Sequence, residues 1–112
     1  MSSLPNYLRT HRKSAALSQE EVAFLLGTKG MNKGIKVSRD EHSARTPTLE
    51  EALAYEAIYG RPIRELFAGV YEEVEREVIG NAKMLAHRVV EVNPKAQQAI
   101  AEIVSREAKV VC

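Results

Sequence analysis

The sequence predicts an all-α protein, with five short helices in its first 67 residues and a two-helix hairpin after them. Apolar residues recur at spacings of three and four, which is typical of amphipathic helices. Ser18 and Thr48 are each followed three positions later by a glutamate, the pattern of a capping box. Gly27 and Gly60 follow the corresponding apolar runs and are suited to end a helix. Starts and stops thus agree with the periodicity.

The composition is that of a globular protein, with 45% hydrophobic and 28% charged residues in a chain of 112. This length favours one compact domain, or one small domain with a helical appendage. No stretch approaches the roughly 18 apolar residues that span a membrane, and the first residues lack a signal-peptide core. The single Cys112 has no internal partner for a disulfide. We therefore expect a cytoplasmic protein.

The net charge of +1 is unevenly distributed. Residues 1–49 carry eight Lys or Arg against four Asp or Glu, which gives +4, whereas residues 50–112 carry eight against eleven, which gives −3. The front half is therefore the half suited to meet a polyanion. An uneven distribution of solvated faces explains the charge equally well.

The first two helices are predicted over roughly 6–16 and 18–27. Asn6 can cap the first helix, whose apolar stripe is expected at Tyr7, Leu8 and residues 11–15, and whose outer positions are Arg9, Arg12 and Lys13. Leu17 is suited to act as a hydrophobic staple before the second helix. The apolar face of that helix is expected at Val22, Leu25 and Leu26, flanked by Ala23 and Phe24.

The next three helices are separated by turns. A third helix is expected from Asn32 or Lys33 to His42, after a basic, glycine-containing loop. The fourth runs from the Thr48 cap to Gly60, with its core face at Leu49, Leu53, Ala54, Ala57 and Ile58. Pro62 suits the first position of the fifth helix, in which Ile63, Leu66 and Phe67 are expected to point inward.

The C-terminal part is predicted to be a helical hairpin. A long helix over roughly 70–92 carries its stripe at Val70, Val74, Val78, Leu85, Val89 and Val92, with a candidate kink at Gly80–Asn81. Asn93 and Pro94 are suited to start a last helix that ends near Val110, with apolar positions at Ala96, Ala99, Ile100, Ile103 and Val104. The hairpin either packs on the front domain or pairs with a second copy, and we favour pairing.

The first 67 residues resemble the helix-turn-helix domain of the Cro/C1-type (Xre) regulators. The matching strings are L-S-Q-E-E-V-A at 17–23 with L-G at 26–27, V-S-R-D-E at 37–41, R-T-P-T-L-E-E-A-L at 45–53 and I-R-E-L-F at 63–67. The resemblance implies a five-helix lambda-repressor-like domain over 1–69 that binds double-stranded DNA, with its third helix in the major groove. The hairpin over 70–112 is then the expected dimerisation element.

The resemblance also indicates DNA-contacting residues. Gln19 resembles the family residue that anchors a phosphate and braces the recognition helix, although an exposed helix start is its alternative role. Ser38 and Arg39 are expected to reach base edges, since the Arg fork matches guanine. Apart from the resemblance, the basic, glycine-containing stretch before Val37 is suited to neutralise phosphates through Lys29, Lys33 and Lys36. Arg45, just before the fourth helix, is a further candidate phosphate contact. A solvated loop is the alternative for the lysines, and an ion pair with Glu41 is the alternative for Arg45.

Two departures from the family pattern support a rival hypothesis. Nine residues, 28–36, separate Gly27 from Val37, which makes this turn longer than in the family. Asp40 stands where the family usually has a large apolar side chain, and an acid beside a phosphate is unfavourable. The first hypothesis is a dimeric transcriptional regulator acting at an operator. The alternative is a protein-interaction module, or an antitoxin-like protein, whose altered third helix reads DNA weakly or not at all.

Catalytic and cofactor-binding patterns are lacking in the sequence. His11, His42 and His87 are far apart and no H-x-x-x-H or C-x-x-C spacing occurs, so we expect no metal site. The glycines at 27, 30 and 34 do not form a Walker A pattern. We therefore expect a protein that is not an enzyme and needs no cofactor.

Overall fold

The computed structural model describes residues 5–27, 34–88 and 93–107. These residues contain seven helices and no strand, so the all-α prediction is confirmed. The helices are α1 Leu8–Ser14, α2 Gln19–Leu25, α3 Ile35–Glu41, α4 Leu49–Tyr59, α5 Ile63–Leu66, α6 Ala68–Arg88 and α7 Pro94–Ser105. The chain divides into two compact units, residues 1–71 and 72–112. Assigning DNA binding to 1–69 and dimerisation to 70–112 stays a prediction.

Three of the four predicted N-terminal caps are confirmed. The fourth is wrong, because Tyr7 rather than Asn6 directly precedes α1 and makes no side-chain cap hydrogen bond. The Ser18 hydroxyl accepts from the Glu21 amide at 3.0 Å, and the Glu21 carboxylate accepts from the Ser18 amide at 2.8 Å. Thr48 makes the same reciprocal pair ahead of α4. The Asn93 side chain accepts from the third residue of α7, which begins at Pro94. Local chemistry therefore sets these three starts.

All five helices of the first unit contribute to one core. Its buried members are Leu8, Val22, Ala23, Val37, Tyr55, Leu66 and Phe67. Leu17, Leu26 and Ile63 are partly buried against this core, as the sequence predicted. Burying one large apolar side chain contributes about 1.5–3 kcal/mol, so helices of four to eleven residues are stable here only because they pack together.

The predicted core face of α4 is partly wrong, because Ala54 and Ile58 are half-buried as expected but the other three members are exposed. Leu49 is 72% exposed and Leu53 49%, and Ala57 is exposed too, whereas Tyr55 is fully buried. Ile58, which was predicted to face inward, is partly buried with Ala52 and Tyr59. Apolar residues occupy nearly every side of this helix, so periodicity does not select a face. The position of α4 depends on Tyr55 instead.

Four other predicted positions differ from the structure. In α2, Phe24 and Leu25 are 78% and 54% exposed, whereas Val22 and Ala23 are buried. Arg12 was expected on the outside of α1, but its side chain is only 12% exposed. Pro62 precedes α5 as its cap residue rather than starting the helix. In α2, only the start of the predicted apolar stripe is buried in the core, and the next two residues are exposed to solvent.

The start of α3 also differs from the prediction. Asn32 and Lys33 lie outside the described residues, and α3 begins at Ile35 after Gly34, whose φ is +92°. A Cβ on Gly34 would lie 3.0 Å from the Gln19 Cβ and 3.1 Å from the Glu20 nitrogen. Gly34 therefore precedes α3 and is not one of its residues. At Gly34, the backbone before α3 packs directly against Gln19 and Glu20 at the start of α2.

Replacing Gly34 with Ala is expected to destabilise the first unit more than replacing Gly60 with Ala. Both glycines have positive φ, so both variants incur about 1–2 kcal/mol of backbone strain. Only Gly34 lacks space for a Cβ, which adds on the order of 1–3 kcal/mol of overpacking. Urea unfolding measures both variants. Equal losses would show that the close approach of α2 and α3 has no energetic effect.

In the second unit, the exposed and buried faces of α6 differ from the prediction. Val74, Val78 and Leu85 are 45–53% exposed, whereas Ile79 and Ala82 are buried. The helix runs unbroken through Gly80 and Asn81, where a kink was considered. Lys83 of α6 forms an ion pair with Glu107, just beyond α7, so the chain reverses direction between the two helices. Val89 and Val92 lie outside the described residues.

None of the described helices is long and apolar enough to cross a membrane.

Candidate nucleic-acid interface

Two adjacent acids at the end of α3 point into the first unit. The side chains of Asp40 and Glu41 are each 1% exposed. Asp40 lies three positions after the buried Val37, so both belong to the inner face of the helix. A buried charge is costly unless it is paired and hydrogen-bonded. The contacts of these two acids therefore decide how α3 is held.

Asp40 is fully paired inside the first unit. The Tyr55 hydroxyl donates to its Oδ2 at 2.7 Å, and Arg45 Nη1 donates to its Oδ1 at 2.7 Å. The Asn6 amide donates to its backbone oxygen at 2.9 Å. Burial, reinforced by this carboxylate, raises the pKa of Tyr55 well above its usual range, so the hydroxyl stays a donor. Asp40 points inward, which corrects the expectation that it lies beside a phosphate.

Glu41 joins α3 to the first two helices. Arg12 donates to it from Nε at 2.6 Å and from Nη2 at 3.3 Å, which is a two-point contact. The Glu41 hydrogen bond raises the pKa of Arg12 despite partial burial, so the guanidinium stays charged. Gln19 Nε2 donates to Glu41 Oε1 at 3.1 Å. Gln19 therefore braces α3 from the start of α2.

Glu51, at the start of α4, holds the other side of α3. It accepts from Arg45 Nη2 at 2.6 Å and pairs with Lys36 Nζ at 2.5 Å. Burial opposes ionisation of Glu51, but hydrogen bonds from Lys36, the Thr48 backbone and Arg45 outweigh it and lower its pKa to about 2. Arg45 thus pairs with Asp40 and Glu51, and the alternative pairing with Glu41 is wrong.

The outer face of α3, formed by Ile35, Ser38, Arg39 and His42, meets solvent. Ile35 is 57% exposed, Arg39 and His42 are exposed, and Ser38 is half-buried. The His42 ring shares a 2.7 Å hydrogen bond with the Ser38 carbonyl. The Arg39 side chain has no hydrogen bond or ion pair within the described ranges. A rigidly backed helix therefore presents one unpaired guanidinium outward.

The predicted site residues fall into three groups. Ser38 and Arg39 lie on the outer face of α3, and the half-buried Gln19 lies beside that helix at the start of α2. Lys36 and Arg45 are near them, but acids offset their charges. Lys29 and Lys33 lie outside the described residues. Their roles in DNA binding stay predictions.

Sequence reasoning missed the residues that support α3. Arg12, Tyr55 and the inward role of Glu41 carry no local pattern, because their partners lie 15 or 29 positions away in the chain. The spacing of Asp40 from Val37 was the one available indication. It places Asp40 on the buried face if Val37 is in the core.

Within 5–27, 34–88 and 93–107, no group of three or more His, Cys, Asp or Glu side chains could bind a metal ion. Searches of protein-family models, curated proteins and solved structures found no match to this chain. Function is therefore inferred from the residues of the chain and their geometry.

Proposed function

We propose that the chain is a sequence-specific, double-stranded-DNA-binding transcriptional regulator that acts as a homodimer at an operator. Its first unit would be a lambda-repressor-like helix-turn-helix domain, with α2 across the phosphate backbone and α3 in the major groove. The observation that carries this proposal is the two-sidedness of α3. Its inner face is tied by buried charges to α1, α2 and α4, and its outer face is solvated.

Rigid backing matters because base recognition depends on placing a side chain within a fraction of an ångström. Asp40 and Glu41 hold α3 without using Arg39, so Arg39 remains available to a base edge. The Arg fork matches the O6 and N7 atoms of guanine. Ser38, one position earlier, is suited to a neighbouring base or sugar. These two residues are the proposed sequence readers.

The proposed phosphate contacts differ in strength. Gln19 is half-buried and already bonded to Glu41, which presents it in one orientation. Lys36 and Arg45 are partly neutralised by Glu51 and Asp40, so we expect them to contribute less than unpaired cations. Lys29 and Lys33, in the lengthened turn, are proposed as sequence-independent phosphate contacts.

The test is to select bound genomic fragments with the wild-type chain and compare the variants Arg39→Ala and Arg61→Ala on them. Arg61 is an exposed arginine in the turn before α5, so its replacement matches the charge change outside the proposed interface. Arg39→Ala is expected to lose about 1–3 kcal/mol of discrimination between selected and random sequence. Arg61→Ala is expected to retain that discrimination.

Salt dependence provides the second readout in the same gel-shift assay. Between about 50 and about 200 mM salt, wild-type affinity is expected to fall steeply because phosphate contacts release counterions. An affinity that does not respond to salt contradicts the phosphate contacts. Equal behaviour of the two arginine variants contradicts base reading by α3.

A second candidate function is a protein-interaction module or antitoxin-like protein. It is favoured by three exposed apolar side chains, Phe24, Leu25 and Ile35, that flank the lengthened turn on both sides. Apolar exposure at one site is typical of protein contacts rather than phosphate contacts. Failure to retard any DNA at low salt, together with a lysate complex that Phe24→Ser abolishes, would support this candidate over the first.

A further inference from the structure

One face of α6 carries a coiled-coil pattern whose apolar side chains are about half exposed. Val74, Val78, Asn81 and Leu85 follow one another at spacings of four, three and four, which are the spacings of a heptad seam. The three apolar members are 53%, 45% and 48% exposed, and Asn81 is exposed as well. We call these four residues the α6 seam. A seam of this kind is stable in water only when another helix covers it.

A neighbouring side of α6 is already used within the second unit. Ile79 and Ala82 are buried, and Lys83 pairs with Glu107 beyond the end of α7. On α7, Ala96, Ile100, Ile103 and Val104 are half-buried. Helix α7 therefore takes the Ile79 side, and the α6 seam remains for another partner.

We infer that this partner is the α6 of a second copy of the chain, packed antiparallel. The inference rests on the proposed homodimer and specifies its interface. The first half of α6 carries Glu72, Glu73, Glu75 and Glu77 against one Arg. Its second half has no acid and ends in Arg88, and its Lys83 is already paired with Glu107. An antiparallel pair places each acidic half beside the acid-free half of the other copy. A parallel pair places the two acidic halves together, which is unfavourable.

The heptad positions set the register of this antiparallel pair. Val74 of one copy lies opposite Leu85 of the other, and Val78 lies opposite Asn81. The two Asn81 side chains then lie near the two-fold axis, about one turn apart, where their amides can hydrogen-bond. A polar residue in a seam lowers stability and selects one register. The seam is short, so we expect dissociation constants in the micromolar range.

Cysteine cross-linking tests the direction and register. Cys112 is the only cysteine of the chain, so Cys112→Ser provides a cysteine-free background. Val74→Cys and Leu85→Cys variants with tags of different size are mixed and oxidised. A disulfide between the two variants, with little self-linking of Val74→Cys, is the expected result, because only facing positions approach within disulfide distance. Self-linking of Val74→Cys would overturn the antiparallel arrangement.

Sedimentation of the full chain tests the interface itself. Val78→Asp is expected to weaken dimerisation at least tenfold, whereas Ala101→Asp, on the exposed side of α7, leaves it unchanged. Helix content by circular dichroism confirms that both variants fold. A dimer that survives Val78→Asp overturns the inference and leaves the proposed homodimer intact. A wild-type chain that stays monomeric overturns both, and the Arg39 experiment still tests DNA reading.

Discussion

Replacing Asp40 with Ala is expected to lower the free energy of unfolding by about 3–5 kcal/mol, because it removes one partner from a buried charge pair. The Tyr55 hydroxyl and one side of the Arg45 guanidinium lose their acceptor at a site that is 1% exposed. Domains of this size are typically stable by only about 5–15 kcal/mol. Urea unfolding measures the loss.

A double-mutant cycle separates the hydrogen bond from the cavity. Tyr55→Phe alone leaves Asp40 with one fewer donor. In the Asp40→Ala background, however, Tyr55→Phe removes a hydroxyl that is already unpaired. We therefore expect the double variant to lose less than the sum of the single losses. Strictly additive losses would show that the hydroxyl and the carboxylate are not coupled. Asp40→Leu with Tyr55→Phe is expected to recover stability over Asp40→Ala, since both polar partners are then replaced.

Acid is expected to destabilise the first unit through Glu51. The folded-state pKa of this carboxyl is about 2, below its usual value of 4.5, because the hydrogen bonds from Lys36, Thr48 and Arg45 outweigh the cost of burial. Its contribution is therefore fully present above pH 4.5 and is lost as the pH falls towards 2. That contribution is on the order of 2 kcal/mol. Unfolding curves at a series of pH values measure it.

Glu51→Gln isolates this carboxylate, because Gln also serves in a capping box but carries no charge. We expect Glu51→Gln to be less stable than wild type at neutral pH and to approach wild type near pH 2. Glu21→Gln is the matched control, since Glu21 has the same capping role in α2 and no ion pair to a described residue. If the Glu21 variant changed the pH profile as much as the Glu51 variant, the ion pairs with Lys36 and Arg45 would not be the cause.

Local sequence predicted the elements better than their faces. The capping pairs Ser18–Glu21 and Thr48–Glu51 form as expected, because each joins residues three positions apart. The inward face of α4 was partly mispredicted, since the choice between Leu53 and Tyr55 depends on Asp40 in another helix. Capping is decided within one turn of helix. Burial is decided by neighbours that are distant in the chain.

The candidate site divides in the same way. Arg39 and Ser38 were identified from a string of five letters, and the structure places them on the outer face of α3. The structure also shows that Lys36 and Arg45 are paired with acids. The sequence did not show whether these two cations are free to contact DNA, because an ion pair depends on the distance between two side chains in the folded protein.

The sequence by itself determined that this chain is helical and where most of its helices begin and end. These properties depend on contacts within one or two turns of the chain. The tertiary structure decided that Asp40 and Glu41 point inward and that Arg39 points outward. Two adjacent acids become stable inside a protein only when Arg12, Arg45 and Tyr55, from other parts of the chain, are brought to them.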